Sequence, residues 1–323
     1  MTAVLFTCVG QRVDIVEAFN RAGATTIAVD ANPLAPALYH ADRYALVPRI
    51  DDPGYVQALR TVVEEHDVKL VVPLTDLDQT SLARAREKLE ALVLLPDADL
   101  VERLSDKYLS HLLFEEHGIS SPPTWLPGNV PDDAPFPLLV KARHGFGSRH
   151  IYRAADRAQL GFFAGYTPVD SIVQVCLAGE EFSIDVFCDL EGQCLNAIPR
   201  TMIESKGGES IKGMTIRDER LIELARDVAE KLHLVGPANI QCFREADGSH
   251  YLTDINTRFG GGFPLPLAAG GRYPELALAL ARGEHPEPRL GDFREGIAMT
   301  RFFSDLSLTS NGDGTLKPLA PAE

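Results

Sequence analysis

The hydrophobic pattern of the chain changes partway along its length, and this change limits the folds that the chain can adopt. Short apolar runs at 3–9, 26–29 and 68–74 alternate with helical patterns, which is typical of βαβ units and predicts a small parallel sheet covered by helices. After a Pro-rich stretch at 122–137, predicted strands follow one another through short turns, which favours antiparallel pairing. The sequence therefore predicts an α/β domain followed by an α+β region.

Composition and charge exclude several classes of partner. The chain has 323 residues, and its 46 acidic against 31 basic residues give a net charge of −15. Such a surface would repel a nucleic acid backbone or an anionic membrane. No apolar run approaches the roughly 18 residues of a membrane helix, and the N-terminus lacks an export signal. We therefore expect a cytoplasmic protein with no nucleic acid or membrane partner, whose five cysteines are reduced.

Two glycine-containing segments resemble nucleotide-binding motifs but lack residues that those motifs need. Gly10 follows a predicted strand and Asp30 ends the next one, as in a dinucleotide fold, but two of the three glycines of that fingerprint are missing. The segment 208–215 has the glycine spacing of a phosphate loop, but Met214 stands where lysine is required. A NAD-dependent protein therefore rests on Gly10 and Asp30 alone, and a Rossmann-like scaffold is the better prediction.

A loop at 141–149 combines glycines with basic residues. An apolar strand ends at Lys141, and the loop that follows carries Arg143 and Arg149. Glycines let backbone N–H groups turn toward an anion, and the basic side chains add positive charge in an otherwise acidic protein. The candidate phosphate-binding residues here are Lys141, Gly145, Gly147 and Ser148. A plain solvated hairpin loop explains this segment alone equally well.

An apolar strand at 172–177 is followed by an acidic pair at 180–181. An adenine ring could lie against this strand and hydrogen-bond its backbone, while Glu181 holds the ribose hydroxyls. The candidate adenine contacts are Gln174, Cys176 and Leu177. Buried sheet alone explains the apolar residues, but it does not explain the acidic pair.

Oxygen-bearing side chains recur at alternate positions in the segment 239–258. A two-residue turn at 247–248 would fix which residues of this hairpin face each other. The facing pairs are Gln241 with Asp254, and Asn239 with Asn256. The period of two puts all four side chains on one face, where hard oxygen ligands suit Mg²⁺ that is also bound by nucleotide phosphates. A polar, solvent-facing hairpin is the alternative.

With these segments in this order, the chain resembles the ATP-grasp superfamily, in particular its carbamoyl-phosphate-synthase-large-chain-like, single-module carboxylate-amine ligases. The resemblance covers roughly residues 1–305. It implies a Rossmann-like pre-ATP-grasp domain at 1–104 and a two-lobed ATP-grasp domain at 105–305, whose small ATP-binding lobe lies at about 122–180. Residues 306–323 form a tail beyond this domain, and its polar part at 309–323 is expected to be loosely ordered.

The resemblance also implies roles for individual residues. Lys107 and Lys141 would contact ATP phosphates beneath the loop 144–149, and Glu181 would hold the ribose. The implied metal ligands are Gln241, Asp254 and Asn256, with Asn239 beside them as a cofactor-binding residue. The implied catalytic residues are Arg258, which stabilises charge on the transferred phosphoryl group, and Arg200 and Lys206, which touch substrate from a stretch at 199–213 that resembles the family's mobile loop. The segment from 201 to about 217 is expected to be a mobile loop that orders or closes when substrates bind.

Two positions depart from the pattern of the family. Val175 stands where the adenine-binding strand often carries a glutamate, which is tolerable because these hydrogen bonds come mainly from the backbone. Gln241 stands where a metal ligand is often glutamate, so one ligand is neutral.

The function implied is an ATP-dependent ligase that joins a carboxylate to an amine through an acyl phosphate. Its cofactors would be ATP and Mg²⁺, for which Mn²⁺ could substitute, and its partners small-molecule carboxylates and amines, with a homodimer left open. The alternatives are an ATP-binding regulatory module that has lost turnover and a carbamoyl-phosphate-synthase-like half that acts with a partner. Intact Asp254, Asn256 and Arg258 favour the enzyme. Specificity lies in pocket shape, so the sequence does not name the substrates.

Overall fold

The computed structural model of the chain describes residues 1–145, 150–206, 209–312 and 315–319, with Lys206 and Glu209 described by their backbone alone. The helices are α1 (Val13–Arg21), α2 (Tyr55–Glu65), α3 (Gln79–Ala85), α4 (Ala98–Ser105), α5 (Lys107–Glu116), α6 (Arg157–Tyr166), α7 (Glu219–Lys231), α8 (Pro264–Ala268) and α9 (Tyr273–Ala281). The strands are β1 (Ala3–Thr7), β2 (Thr25–Asp30), β3 (Arg43–Leu46), β4 (Leu70–Pro73), β5 (Leu92–Val93), β6 (Thr124–Trp125), β7 (Leu138–Ala142), β8 (Ile151–Ala154), β9 (Ser171–Val175), β10 (Glu180–Cys188), β11 (Cys194–Thr201), β12 (Glu204–Lys206), β13 (Glu209–Met214), β14 (Gly236–Arg244), β15 (His250–Asn256), β16 (Ala298–Thr300), β17 (Leu308–Ser310) and β18 (Leu316–Pro318). Within the described ranges, none of the helices has the length and apolar character needed to cross a bilayer.

The chain divides into two compact units. The first contains residues 1–95, 272–286 and 300–323, and the second contains residues 96–271 and 287–299. The domain limits predicted from the sequence differ from this division. Helix α4 belongs to the second unit, where it packs against α5 and β15, and α9 belongs to the first unit, where it packs against α1.

The first unit contains the predicted parallel sheet, with strands in the order β3-β2-β1-β4-β5. The apolar face of α1 is buried, and the rings of Phe6 and Phe19 meet edge to face with their centroids 5.0 Å apart. The Gly10 N–H donates to Asp30 Oδ2 at 2.9 Å, and the Asn32 N–H donates to the other Asp30 oxygen at 2.8 Å. Asp30 therefore holds the turn after β1 and the turn after β2 by accepting from backbone amides.

The C-terminal segment is more ordered than the sequence analysis expected. Strands β17 and β18 pair antiparallel, and the Tyr44 hydroxyl in the first unit donates to the Leu316 carbonyl at 2.9 Å. The segment that the sequence predicts to be a tail thus contains a short pair of strands, whose hydrogen bonds satisfy part of its backbone.

The second unit contains the predicted antiparallel strands. A small sheet has the order β6-β9-β7-β8, and a larger one has the order β11-β10-β14-β15. Helix α7 packs against β10 and β11 with the apolar stripe that its sequence predicts, and the Asp218 side chain caps its first turn. The mixed fold class, a parallel sheet followed by antiparallel sheets, is confirmed.

The segment 201–217 is built differently from the loop that its sequence suggests. It contains β12 and β13, which pair antiparallel, and β13 also pairs with β16 in a third sheet. Apolar periodicity does not mark these strands in the sequence, because the hairpin is short and several of its side chains are exposed. Gly207 and Gly208 lie outside the described residues.

Candidate active site

Two lysines and one carboxylate from three separate elements meet in the second unit. Lys107 begins α5, Lys141 lies near the end of β7, and Asp254 lies on β15. Lys107 Nζ is 3.7 Å from Asp254 Oδ1, and Lys141 Nζ is 3.8 Å from Asp254 Oδ2. The side chains of Lys107, Lys141 and Asp254 are 19%, 8% and 29% exposed. Each lysine therefore faces its own oxygen of one partly accessible carboxylate.

Burial dominates the electrostatics at Lys141. It lowers the pKa of the Lys141 ammonium, the nearby charge of Asp254 opposes this effect, and the positive charge of Lys107 adds to it. Asp254 thus provides the negative charge that keeps two neighbouring cations together. An anion with several oxygens, such as a phosphate chain, could take over that role.

The hairpin of β14 and β15 has the register that the sequence analysis predicts at the site. Asn239 pairs with Asn256 and Gln241 pairs with Asp254, so these predicted pairs are confirmed. The predicted two-residue turn is wrong. Arg244 pairs with His250 instead, and the turn is one residue longer than the two-residue form. A bulge on β15 adds Thr253 opposite the step from Gln241 to Cys242, and this extra residue restores the predicted pairs.

The four oxygen-bearing side chains of this hairpin are not equivalent. Asn239 is buried, and its amide group donates to Asp185 Oδ1 at 2.8 Å and to Ser183 Oγ at 2.9 Å. Gln241, Asp254 and Asn256 are partly exposed. These three could bind a metal through one carboxylate and two amide oxygens, a hard-oxygen set that suits Mg²⁺ when phosphate oxygens complete its coordination. Asn239 is placed to support the sheet rather than to touch a ligand.

The candidate metal ligands of this hairpin are one carboxylate and two amide side chains. Among the residues that the structure describes, no group of three or more His, Cys, Asp and Glu side chains could hold an ion. The donor set fits Mg²⁺ that arrives with a nucleotide better than a permanently bound ion.

Glu181 lies on β10 beside this cluster. Burial raises the pKa of the Glu181 carboxyl, the charge of Asp254 raises it further, and the charge of Arg200 lowers it. The two carboxylates and Arg200 therefore share one electrostatic environment. Glu181 could accept hydrogen bonds from hydroxyl groups, as the ribose assignment requires.

The predicted adenine segment lies at the opposite end of β7 from Lys141. Val175 pairs with Leu138 and Ile172 pairs with Lys141, so the two positions are three residue steps apart, about 10 Å along the strands. The Gln174 amide donates to Thr124 Oγ1 at 2.8 Å, and the Cys176 N–H donates to the Pro137 carbonyl at 3.2 Å. Contacts with an adenine would have to come from other backbone groups of this segment, among them those of Leu177.

Sequence reasoning missed Asp106, which organises the start of the glycine-containing loop at 141–149. By residue type Ser105 could cap this helix, but Ser105 ends α4, and Asp106 caps α5 by accepting from the Tyr108 and Leu109 amides. Arg143 Nε donates to both Asp106 oxygens, at 2.9 and 2.8 Å. Lys107 Nζ donates to the Gly145 carbonyl at 2.9 Å. Arg143 therefore fixes the start of this loop through Asp106, and the hydrogen bond to the Gly145 carbonyl positions Lys107.

The charge of Asp106 is set by two opposing effects. Burial raises the pKa of the carboxyl, but the hydrogen bonds from Arg143 and from the two amides outweigh it and lower the pKa overall. Of the triplet Ser105, Asp106 and Lys107, the family resemblance implied a role only for the lysine. Gly147, Ser148 and the side chain of Lys206 lie outside the described residues, so their predicted roles stay predictions.

Arg200 and Arg258 differ in accessibility. Arg200 is buried and pairs with Asp185, its Nε donating to Asp185 Oδ2 at 2.8 Å. Arg258 is partly exposed just beyond β15, and it donates to the Phe259 carbonyl and to Asn256 Oδ1 at 3.2 and 3.4 Å. Asp185 was missed because a single aspartate in an apolar strand has no local pattern that marks it.

Comparison with protein families gives two matches. Residues 4–94 match the model described as PylC-like, N-terminal domain, and residues 167–302 match the model described as ATP-grasp in the biosynthetic pathway with Ter operon. The carbamoyl phosphate synthase large chain of Agathobacter rectalis is 28% identical over 171 residues, which is 48% of this chain and 16% of that one. The chain thus spans about a sixth of the length of this curated relative.

Solved structures share the fold. The L-amino acid ligase from Bacillus licheniformis superposes with a TM-score of 0.69 and 18% identity, over 87% of this chain and 74% of that one. The N5-carboxyaminoimidazole ribonucleotide synthetase from Thermotoga maritima superposes with a TM-score of 0.70 and 17% identity, over 89% of this chain and 78% of that one. A third structure is the biotin carboxylase domain of the Hydrogenobacter thermophilus 2-oxoglutarate carboxylase, solved as a complex with MgADP and bicarbonate. It superposes with a TM-score of 0.74 and 16% identity, over 90% of this chain and 72% of that one. At these identities the likeness is one of fold.

Proposed function

The chain belongs to the ATP-grasp superfamily, and on that premise we propose that it is an ATP-dependent ligase that joins a carboxylate to an amine. The observation that carries the proposal is the cluster of Lys107, Lys141 and Asp254. It combines two cations for phosphate oxygens with a carboxylate for a metal. The solved relatives include ligases, and one of them holds MgADP, which supports ATP and Mg²⁺ as the cofactors here.

The proposed reaction has two steps. A carboxylate oxygen of the substrate attacks the γ-phosphorus of ATP, the P–O bond to ADP breaks, and an acyl phosphate forms. The amine nitrogen then attacks the acyl carbon, phosphate leaves with the electrons of the C–O bond, and the amine loses a proton. Neither step requires a nucleophilic side chain, so catalysis comes from positioning and charge neutralisation.

Each residue of the site has a place in this scheme. When the nucleotide binds, Lys107 and Lys141 would exchange the Asp254 carboxylate for phosphate oxygens. Asp254, Asn256 and Gln241 would hold Mg²⁺, which supplies charge neutralisation of the phosphate chain. Glu181 would accept hydrogen bonds from the ribose. Arg258, exposed beside the metal ligands, would stabilise the negative charge of the transferred phosphoryl group.

Calorimetric titration of the protein with MgATP is the first test. We expect binding by the wild type and loss of it in Asp254→Asn. Asp247→Asn is the matched control, because Asp247 lies in the exposed turn of the same hairpin. A folded wild type that does not bind MgATP would refute the proposal.

A screen of carboxylates and amines then distinguishes the ligase from a regulatory ATP-binding module. ADP release that requires both a carboxylate and an amine supports the ligase. ATP binding without release of ADP in any combination supports the module.

A further inference from the structure

A buried polar network crosses the larger antiparallel sheet next to the candidate site. Arg200 on β11 and Asp185 on β10 form an ion pair in which both side chains are 2% exposed. The second oxygen of Asp185 accepts from Asn239 Nδ2 at 2.8 Å, and Asn239 also exchanges hydrogen bonds with Ser183. The network therefore links three adjacent strands through side chains on one face of the sheet.

Two glycines beyond β15 lie directly on this network. A Cβ atom at Gly260 would come within 2.5 Å of Asp185 Oδ1 and 2.9 Å of Asn239 Nδ2. A Cβ atom at Gly262 would lie 2.5 Å from Arg200 Cζ and 2.7 and 2.8 Å from its two terminal nitrogens. These nearly equal distances put Gly262 over the plane of the guanidinium group. The backbone of the 260–262 segment can approach this closely only because both residues lack a side chain.

The segment that rests on the network begins next to Arg258. The Arg258 N–H donates to the Asn256 carbonyl at 2.9 Å, and the Phe263 N–H donates to the Gly260 carbonyl at 3.1 Å. The path from the predicted metal ligand Asn256 through Arg258 to Gly260 and Gly262 is therefore a short, hydrogen-bonded turn whose far end is fixed on buried charges.

We propose that Asp185, Asn239 and Arg200 are positioning residues, which seat the turn at 259–262 and thereby fix the direction of Arg258. The inference rests on the proposed function and changes one assignment within it. Arg200 is buried between Asp185, Gly262 and the Met202 sulfur, which lies 3.2 Å from Nη1, so it has almost no surface left for a substrate. Its planar guanidinium acts as a platform for backbone, a shape that lysine lacks.

A buried ion pair is an expensive way to stabilise a sheet, because apolar residues of similar volume often do so as well or better. A need to hold the turn at 259–262 in one defined arrangement explains the network better. Apolar side chains in its place would fill the volume without directing hydrogen bonds to Asn239 or offering a flat surface to Gly262. Misplacement of a catalytic group by about 1 Å can lower a rate 100-fold.

The test uses the full chain and four variants, Asp185→Asn, Arg200→Lys, Gly262→Ala and the neutral double variant Asp185→Asn with Arg200→Gln. Thermal unfolding, hydrogen exchange of a peptide covering 257–265, and kcat and KM for MgATP are measured for each. Arg226→Gln is the control, because it removes an arginine from an exposed ion pair on α7.

We expect all four variants to exchange faster at 257–265 and to lose at least tenfold in kcat with KM for MgATP changed less than threefold. The double variant leaves no unpaired buried charge, so its unfolding temperature should exceed that of Asp185→Asn while its kcat stays low. Recovery of kcat together with stability in the double variant would overturn the inference, because the network would then be structural only.

The hydrogen-exchange measurement separates this inference from the proposed function. If the wild type does not bind MgATP, the proposed function fails, but the exchange data still show whether the network holds the turn at 259–262. Unchanged exchange at 257–265 in folded Asp185→Asn and Gly262→Ala would refute the proposal that the network positions the turn at 259–262, whatever the activity of these variants.

Discussion

Replacement of Asp254 by asparagine should affect both turnover and stability. The sequence alone predicts a variant that loses activity with a nearly unchanged fold. The structure revises the second part, because Asp254 is the carboxylate that faces both Lys107 and Lys141. Its neutralisation leaves two nearby cations, one of them buried, without that partner.

The magnitude follows from the distances. At 3.7 and 3.8 Å and an effective dielectric of about 20, each attraction is worth about 4 kcal/mol before desolvation. Repulsion between the lysines and access of water to Asp254 reduce the net effect. Breaking a buried ion pair lowers the free energy of unfolding by about 3–5 kcal/mol, and an exposed pair contributes about 0.2–1 kcal/mol. Loss of the partly exposed Asp254 carboxylate should therefore lower the free energy of unfolding by about 2 kcal/mol. For a unit of this size that is roughly 4–8 °C in unfolding temperature.

Differential scanning calorimetry without nucleotide provides the assay, applied to wild type, Asp254→Asn, Lys141→Met and the double variant. Lys141→Met removes the buried cation, so Asp254→Asn should cost at least about 1 kcal/mol less in that background than in the wild type. Equal costs in the two backgrounds would refute the idea that the carboxylate holds Lys141. Turnover of Asp254→Asn within threefold of wild type would refute its assignment to the metal. Asp247→Asn should change neither quantity.

Three further measurements test other parts of the structure. Burial raises the pKa of the Asp78 carboxyl in the first unit. The stability that the protonated carboxyl contributes is complete below the unfolded pKa and is lost as pH rises through the folded pKa. Asp78→Asn should therefore stabilise the protein more at pH 8 than at pH 5 in thermal melts. Gly179→Ala should lower the unfolding temperature by several degrees, because its Cβ would collide with the Arg244 carbonyl, whereas Gly128→Ala, with open space around it, should not. The 201–217 hairpin should be cut more slowly by protease when MgATP and substrates are present, and equal rates would count against a role as a lid.

The sequence predicted the site best where a pattern is local. The alternation of Gln241, Asp254 and their neighbours gave the correct pairs, although the turn is one residue longer than predicted and the bulge at Thr253 compensates. Side-chain partners were less predictable. A helix cap can be recognised from residue type, but the pairing of the cap residue Asp106 with Arg143, which lies far along the chain, cannot. The pairing of Asp185 with Arg200 depends on a strand register that neither residue signals.

Long-range placement was also beyond the sequence. The meeting of Lys107, Lys141 and Asp254 depends on how three separate elements pack, and only the family resemblance indicated it. The same holds for α4 and α9, which join units that their positions in the chain do not suggest. Hydrophobic periodicity shows which face of a helix is buried, but it does not show which neighbour covers that face.

The extra residue in β15 has a consequence for insertions and deletions in this strand. In a regular strand Leu252 and Asp254 would point to the same side, yet Leu252 is buried against the core while Asp254 faces the lysines. Thr253 reverses the alternation between them. If Thr253 instead paired with Gln241 in a regular strand, Asp254 and Asn256 would turn toward the apolar side of the sheet and Ile255 toward the polar side. Deletion of Thr253 would make Leu252 and Asp254 neighbours on opposite sides of a regular strand, so Asp254 and Asn256 would keep their side. Closure of the bulge without a deletion would instead remove both site residues at once.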